Sequence, residues 1–122
     1  MAAAEALLGR DEVPSAVFAS NDDMAAAVVA VAHRRHLDVP GDLTVCGFDD
    51  TTLSTAIWPE LTTIHQPIAD MARAAVAMLV GAIRRTTRGG PAEAHRLLDF
   101  TLVRRQSDAP PGAGRPEGGR DA

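Results

Sequence analysis

Apolar and polar positions alternate between two kinds of stretch, short apolar runs that end in hydrogen-bonding side chains and longer stretches with helical periodicity. Ala16-Val17-Phe18-Ala19-Ser20 runs directly into Asn21-Asp22-Asp23, and Leu43-Thr44-Val45-Cys46-Gly47-Phe48 runs into Asp49-Asp50. Both read as buried strands. Between them Met24, Val28, Val31 and Ala32 recur at helical spacing, which predicts a helix from about Asp22 to His36. Asn21 or Asp22 can cap its start, the acidic pair suits the positive end of the helix dipole, and Arg34 and Arg35 suit the last turn. A strand–helix–strand unit makes its two strands parallel and neighbouring. Ligands of open α/β sheets bind just beyond the carboxyl ends of the strands. Asn21 and Asp49 are therefore expected side by side at one sheet edge, a candidate site for a small polar molecule.

The rest of the chain continues the α/β pattern. Ala2 to Leu8 reads as the tail of a helix stopped by Gly9. Thr51 to Ala56 is expected to be irregular, Leu61 to Ile64 extended, and His65-Gln66-Pro67 a break. A second helix is predicted from about Ile68 to Arg85, with an apolar stripe of Ile68, Met71, Ala75, Val76, Leu79 and Ile83. After a loop at Gly89-Gly90-Pro91, Arg96 to Arg104 alternates around Leu98, Phe100 and Leu102 and reads as a last strand. From Ser107 onward Pro, Gly, Asp and Arg dominate without periodicity, and that tail is expected to be disordered. Three strands and two strong helices make a thin sheet for a free-standing doubly wound domain.

Composition narrows the chemistry. A chain of 122 residues holds one small domain, and a net charge of −4 argues against direct grip on a phosphate backbone. There is no lysine, which removes P-loop and Schiff-base chemistries, and the single cysteine, Cys46, excludes an internal disulfide and reads as a small core residue. No apolar run approaches the ~20 residues of a membrane span, and the N-terminus lacks the basic start of a signal peptide, so the chain reads as cytoplasmic. Asp22, Asp23, Asp49 and Asp50 at strand ends invite a Mg²⁺-dependent phosphoryl-transfer reading. Against it stands the lack of any lysine or Gly-rich loop to meet a phosphate. His33, His36, His65 and His95 do not form a metal-ligand set, so no metal and no cofactor is expected. Asn21 can donate and accept toward a hydroxyl pair, and the Asp49 carboxylate can accept two hydrogen bonds. The plainer alternatives are a helix cap for Asn21 and a turn residue for Asp49. Asp50 is expected to brace the following loop, Trp58 to stack on a sugar or pack at a contact, and Arg104-Arg105 to form a solvated strand end.

Four segments carry a resemblance: P-S-A-V-F-A-S-N-D-D-M-A at Pro14 to Ala25, V-P-G-D-L-T-V-C-G-F-D-D at Val39 to Asp50, L-T-T-I-H-Q-P at Leu61 to Pro67, and L-V-R-R-Q-S at Leu102 to Ser107. Together, and in order, they resemble the lactose/galactose-repressor (LacI/GalR) family of bacterial transcription regulators. The resemblance implies part of a type I periplasmic-binding-protein fold, a doubly wound parallel α/β sheet. Residues 1–66 and 96–106 would form the C-terminal lobe, 67–90 a crossover helix of the first lobe, and 107–122 a disordered tail. It also implies that Asn21 and Asp49 are effector-contacting positions, with a carbohydrate-like effector held between two lobes. The surfaces around Ala26 and Thr52 to Ile57 would meet a second subunit in a homodimer. DNA would be bound by a helix-turn-helix absent from this sequence, and no catalysis is implied. Ala27 and Ala72 stand where glycine is expected, and Cys46 where valine is usual. The sequence is expected to be a fragment in which the helix from Ile68 lacks its lobe. The rival readings are a sugar-binding transport protein of the same fold, or a non-functional remnant.

Overall fold

A computed structural model of the chain describes residues 1–86 and 95–110. Eight elements follow in order: α1 (Ala2–Leu8), β1 (Ala16–Phe18), α2 (Asp22–Arg34), β2 (Thr44–Cys46), α3 (Leu53–Ala56), β3 (Thr63–His65), α4 (Ile68–Thr86) and β4 (Thr101–Val103). The chain divides into two compact units, one built from Met1–His65 and the return segment beginning at Leu102, the other from Gln66–Thr101.

In the first unit β1 and β2 pair in parallel, with Ala16, Val17 and Phe18 opposite Thr44, Val45 and Cys46. The helix between them is the reason: a crossover that returns along the same sheet must leave its strands parallel. Asn21 starts α2 by accepting a hydrogen bond from the Met24 amide at 2.8 Å. Ala25, Val28, Val29, Val31 and Ala32 of α2 are buried with Val45, Leu43 and Leu61. Met24, expected on the apolar face, is exposed, and Ala25 takes its place. The cause is a close approach. A Cβ on Gly47 would stand 3.3 Å from the Ala25 Cβ and 2.5 Å from an Asp22 carboxylate oxygen, so only glycine lets the start of α2 come down onto the end of β2. Alternation turns Phe18 and Phe48 to the other face, where their rings meet edge to face at 6.5 Å.

β3 pairs with β4, and isolated parallel bridges Cys46↔Thr62 and Asp49↔His65 connect β2 to the β3 segment. Further back toward the strand starts the return segment takes over. The Val45 amide donates to the Ser107 carbonyl at 2.8 Å, the Thr62 amide donates to the Ser107 hydroxyl at 2.8 Å, and that hydroxyl donates to the Val45 carbonyl. Ser107 is fully buried there, which corrects the expected start of a disordered tail at residue 107. A serine wedged between two strands leaves no periodicity to read. Residues 111–122 and the Gly89-Gly90-Pro91 loop lie outside the described residues.

Two other expectations are corrected. The last strand is confined to Thr101–Val103, because extended chain becomes strand only where β3 runs beside it; Leu97 and Phe100 are exposed. The stretch expected to be irregular contains the helical turn α3, anchored by Ser54, whose buried hydroxyl donates to the Thr51 carbonyl at 2.7 Å. In the second unit α4 is a 19-residue helix, and none of its described residues is buried.

Candidate functional site

Asn21 and Asp49 each lie three positions beyond a registered pair, Phe18 and Cys46, so equal steps along parallel strands bring both to the same carboxyl edge. Both are half-buried. The capping bond occupies the Asn21 Oδ1, and its amide Nδ2 is the group left to address a ligand. Asp49 has φ 106° and Asp50 φ 53°, two consecutive left-handed residues that are not glycine. Such conformations cost about 1–3 kcal/mol each, persist only where the surroundings over-determine them, and cluster at functional sites.

Three sets of contacts hold this turn. The Asp49 amide donates to the Ile64 carbonyl at 2.9 Å. Asp22, buried beside Asn21, accepts from the Thr51 amide at 2.7 Å, the Thr51 hydroxyl at 3.0 Å and the Thr63 hydroxyl at 2.6 Å. One carboxylate thus ties the start of α2 to the loop after β2 and to β3. Asp50 accepts from Arg105 at 2.6 Å on an oxygen that lies 3.3 Å from the Ser54 hydroxyl, and its other oxygen lies 3.0 Å from the His65 Nδ1. The Arg105 guanidinium, hydrogen-bonded and charge-paired to Asp50, holds that carboxyl below the usual range against the opposing effect of burial, with His65 and Ser54 adding to it.

Arg105 is the residue least legible in the sequence. The pattern there predicts a solvated strand end, yet its side chain is 15% exposed and also donates to the Leu61 carbonyl at 2.9 Å. Only Arg104 of the two faces solvent, pairing with Asp108. Nothing in the dipeptide separates the two; the folded chain does, by placing Arg105 beside Asp50 and the Leu61 carbonyl. Asp22 looks in sequence like half of an acidic pair, and its burial follows from Gly47 having no side chain. With Asp22 and Asp50 engaged by these donors, no group of three or more His, Cys, Asp or Glu suited to a metal ion occurs among the described residues. Cys46 is half-buried, and burial, together with nearby Asp108, pushes its thiol pKa up. Trp58 is exposed, as is much of the surface around it at Thr52, Thr55 and Ala56.

A parallel α/β lobe with polar side chains converging beyond its strand ends is the framework of a small-molecule binding domain. Residues 1–107 match the family model of the periplasmic binding protein-like domain. The chain belongs to that family and corresponds to the effector-binding domain of LacI/GalR-type transcriptional regulators. It is 40% identical over 119 residues to the HTH-type transcriptional regulator MalR of Streptomyces coelicolor, a match covering 94% of this chain and 33% of that protein. It is 42% identical over 85 residues to catabolite control protein A of Priestia megaterium, covering 70% of this chain and 26% of that one. Among solved structures, one described as a putative transcriptional regulator of the LacI family from Sanguibacter keddieii aligns with a TM-score of 0.78 and 36% identity over 87% of this chain and 40% of that one. The chain thus spans about a quarter to a third of the length of these two sequence relatives. The MalR relative and the Sanguibacter keddieii structure are named as transcriptional regulators, so the transport-protein alternative is not favoured.

Proposed function

We propose that this chain is the effector-binding part of a cytoplasmic LacI/GalR-type transcriptional regulator, in which Asn21 and Asp49 hold hydroxyls of a carbohydrate-like ligand. The observation that carries the reading is the pairing of these two residues at one strand edge, with Asp49 in a conformation costly enough to require a reason. An amide that donates and a carboxylate that accepts suit a run of vicinal hydroxyls. Relatives add support. Similar proteins include a ribose operon repressor of Escherichia coli, a CelR regulator in complex with cellobiose, and a lac repressor dimer bound to operator.

In this reading the ligand is bound and released unchanged. Binding favours one arrangement of the lobes over another, and the difference in ligand affinity between the two arrangements is what alters operator binding by a homodimer. Residues 67–86, the described part of the expected 67–90 crossover, belong to the first lobe of that two-lobed domain. The separation of Gln66–Thr101 as its own compact unit supports this, as does the absence of any buried residue in the described part of α4. No helix among the described residues is long and apolar enough to cross a membrane.

The test is calorimetric titration of ribose, galactose, maltose and cellobiose against the wild-type chain, Asp49→Asn and Asn21→Ser. Serine keeps a capping oxygen and removes the amide. A sugar bound by the wild type and lost in both variants, with thermal stability preserved in Asn21→Ser, supports the reading. Unchanged binding in both overturns it.

A further inference from the structure

The Asp50 carboxylate gathers three separate parts of the first unit. One oxygen receives Arg105 at 2.6 Å and lies 3.3 Å from the Ser54 hydroxyl; the other lies 3.0 Å from His65. His65 is the last residue of the first unit before the chain leaves it at Gln66. Arg105 lies just after the chain returns at Leu102, and its own amide donates to the Thr62 hydroxyl at 2.8 Å. Both segments through which the chain leaves and re-enters this unit are therefore fastened to a single carboxylate. That carboxylate belongs to the residue following the left-handed Asp49. The Asp50–Arg105 pair is largely shielded, with side chains 18% and 15% exposed, so each partner depends on the other: removing one leaves a poorly solvated charge.

We infer that Asp50, acting through Arg105 and His65, is a positioning residue for Asp49, fixing its backbone and coupling that conformation to the two crossing segments. This rests on the reading of Asp49 as a ligand contact. A ligand pulling on Asp49 then works against a turn already clamped to both crossings, and a shift of either crossing is felt at Asp49. Two-state coupling of this kind requires a shared element that both events bias, and the Asp50 carboxylate supplies one.

Hydrogen exchange on the full 122-residue chain tests the clamp without any sugar. The Asp49 amide, bonded to the Ile64 carbonyl, is the reporter, and the Val31 amide in the buried stripe of α2 is the control. Asp50→Asn is expected to speed exchange at Asp49 about tenfold or more, with Val31 changing less than about twofold, because local opening is separable from global unfolding. Arg105→Lys keeps the charge but loses the two-pronged contact, so it is expected to give a smaller rise of about threefold at Asp49; it serves as the reporter variant if Asp50→Asn does not fold. Equal acceleration at both amides, or none at Asp49, overturns the proposal. Titration of ribose and cellobiose separates the two readings: Asp49→Asn should abolish binding, and Asp50→Asn should weaken it about tenfold. Binding lost in Asp49→Asn but unchanged in Asp50→Asn overturns the positioning role alone. Binding unchanged in Asp49→Asn overturns the ligand reading, while the exchange result still decides whether the clamp exists.

Discussion

Helices α2 and α4 are both amphipathic by sequence, and their fates differ. In α2, six of 13 residues are buried, among them Val28, Val31 and Ala32 of the predicted stripe. α4 is longer, at 19 residues, and segregates apolar from polar positions more strongly, yet Met71, Val76, Leu79 and Ile83 are exposed. A periodic stripe records what a helix is built to bury, and burial itself depends on which surface is supplied. β1 and β2 supply it for α2, because the crossover lays that helix on its own strands. α4 has no buried position among its described residues.

The same chemical change made in both units puts this contrast to the hardest test. Leu43→Ala, at a fully buried site, is expected to cost about 2–5 kcal/mol in urea unfolding, whereas Leu79→Ala, 62% exposed, is expected to stay within about 0.5 kcal/mol. A comparable cost at Leu79 would mean that the α4 stripe is covered by self-association, and the cost would then shrink on dilution. Next in size is Gly47→Ala. Its methyl would collide with Asp22 and Leu61, and a loss of about 1–3 kcal/mol is expected. Asn21→Ala removes the cap of α2 for about 1 kcal/mol, while Asn21→Ser should cost only a few tenths; thermal denaturation distinguishes them. The smallest effect is the pH response of Asp50. Its pKa is lowered on folding from an ordinary value of 3.8, so its stabilising contribution is complete above about pH 4–5 and is lost as pH falls through the lowered folded value. Acid unfolding curves of Asp50→Asn should therefore be flatter than wild type below about pH 4 and parallel to it above about pH 5.

Most of what positions the candidate site is legible in the chain's own pattern. The two strand runs, the helix between them and its Asn21 cap follow from periodicity and capping chemistry, and parallel pairing follows from the crossover. Together these put Asn21 and Asp49 at one edge. The contacts that stiffen the edge are not legible. Asp22 and Asp23 look alike, as do Arg104 and Arg105, yet in each pair one side chain turns inward to bond residues 29 to 55 positions away. Long-range partnerships of this kind leave no local spacing. Ser107 shows the same limit, a polar residue in a Pro- and Gly-rich stretch that becomes fully buried between Val45 and Thr62, hydrogen-bonded to both.

Periodicity, capping and crossover topology are local or nearly local constraints, and so the order of residues was enough to define the elements, the parallel pairing and the edge where polar groups collect. Two outcomes came from the folded chain instead: which of two adjacent like residues is buried, and the left-handed backbone of Asp49 and Asp50. Each depends on what surface stands opposite a residue, and that surface is made by distant parts of the chain.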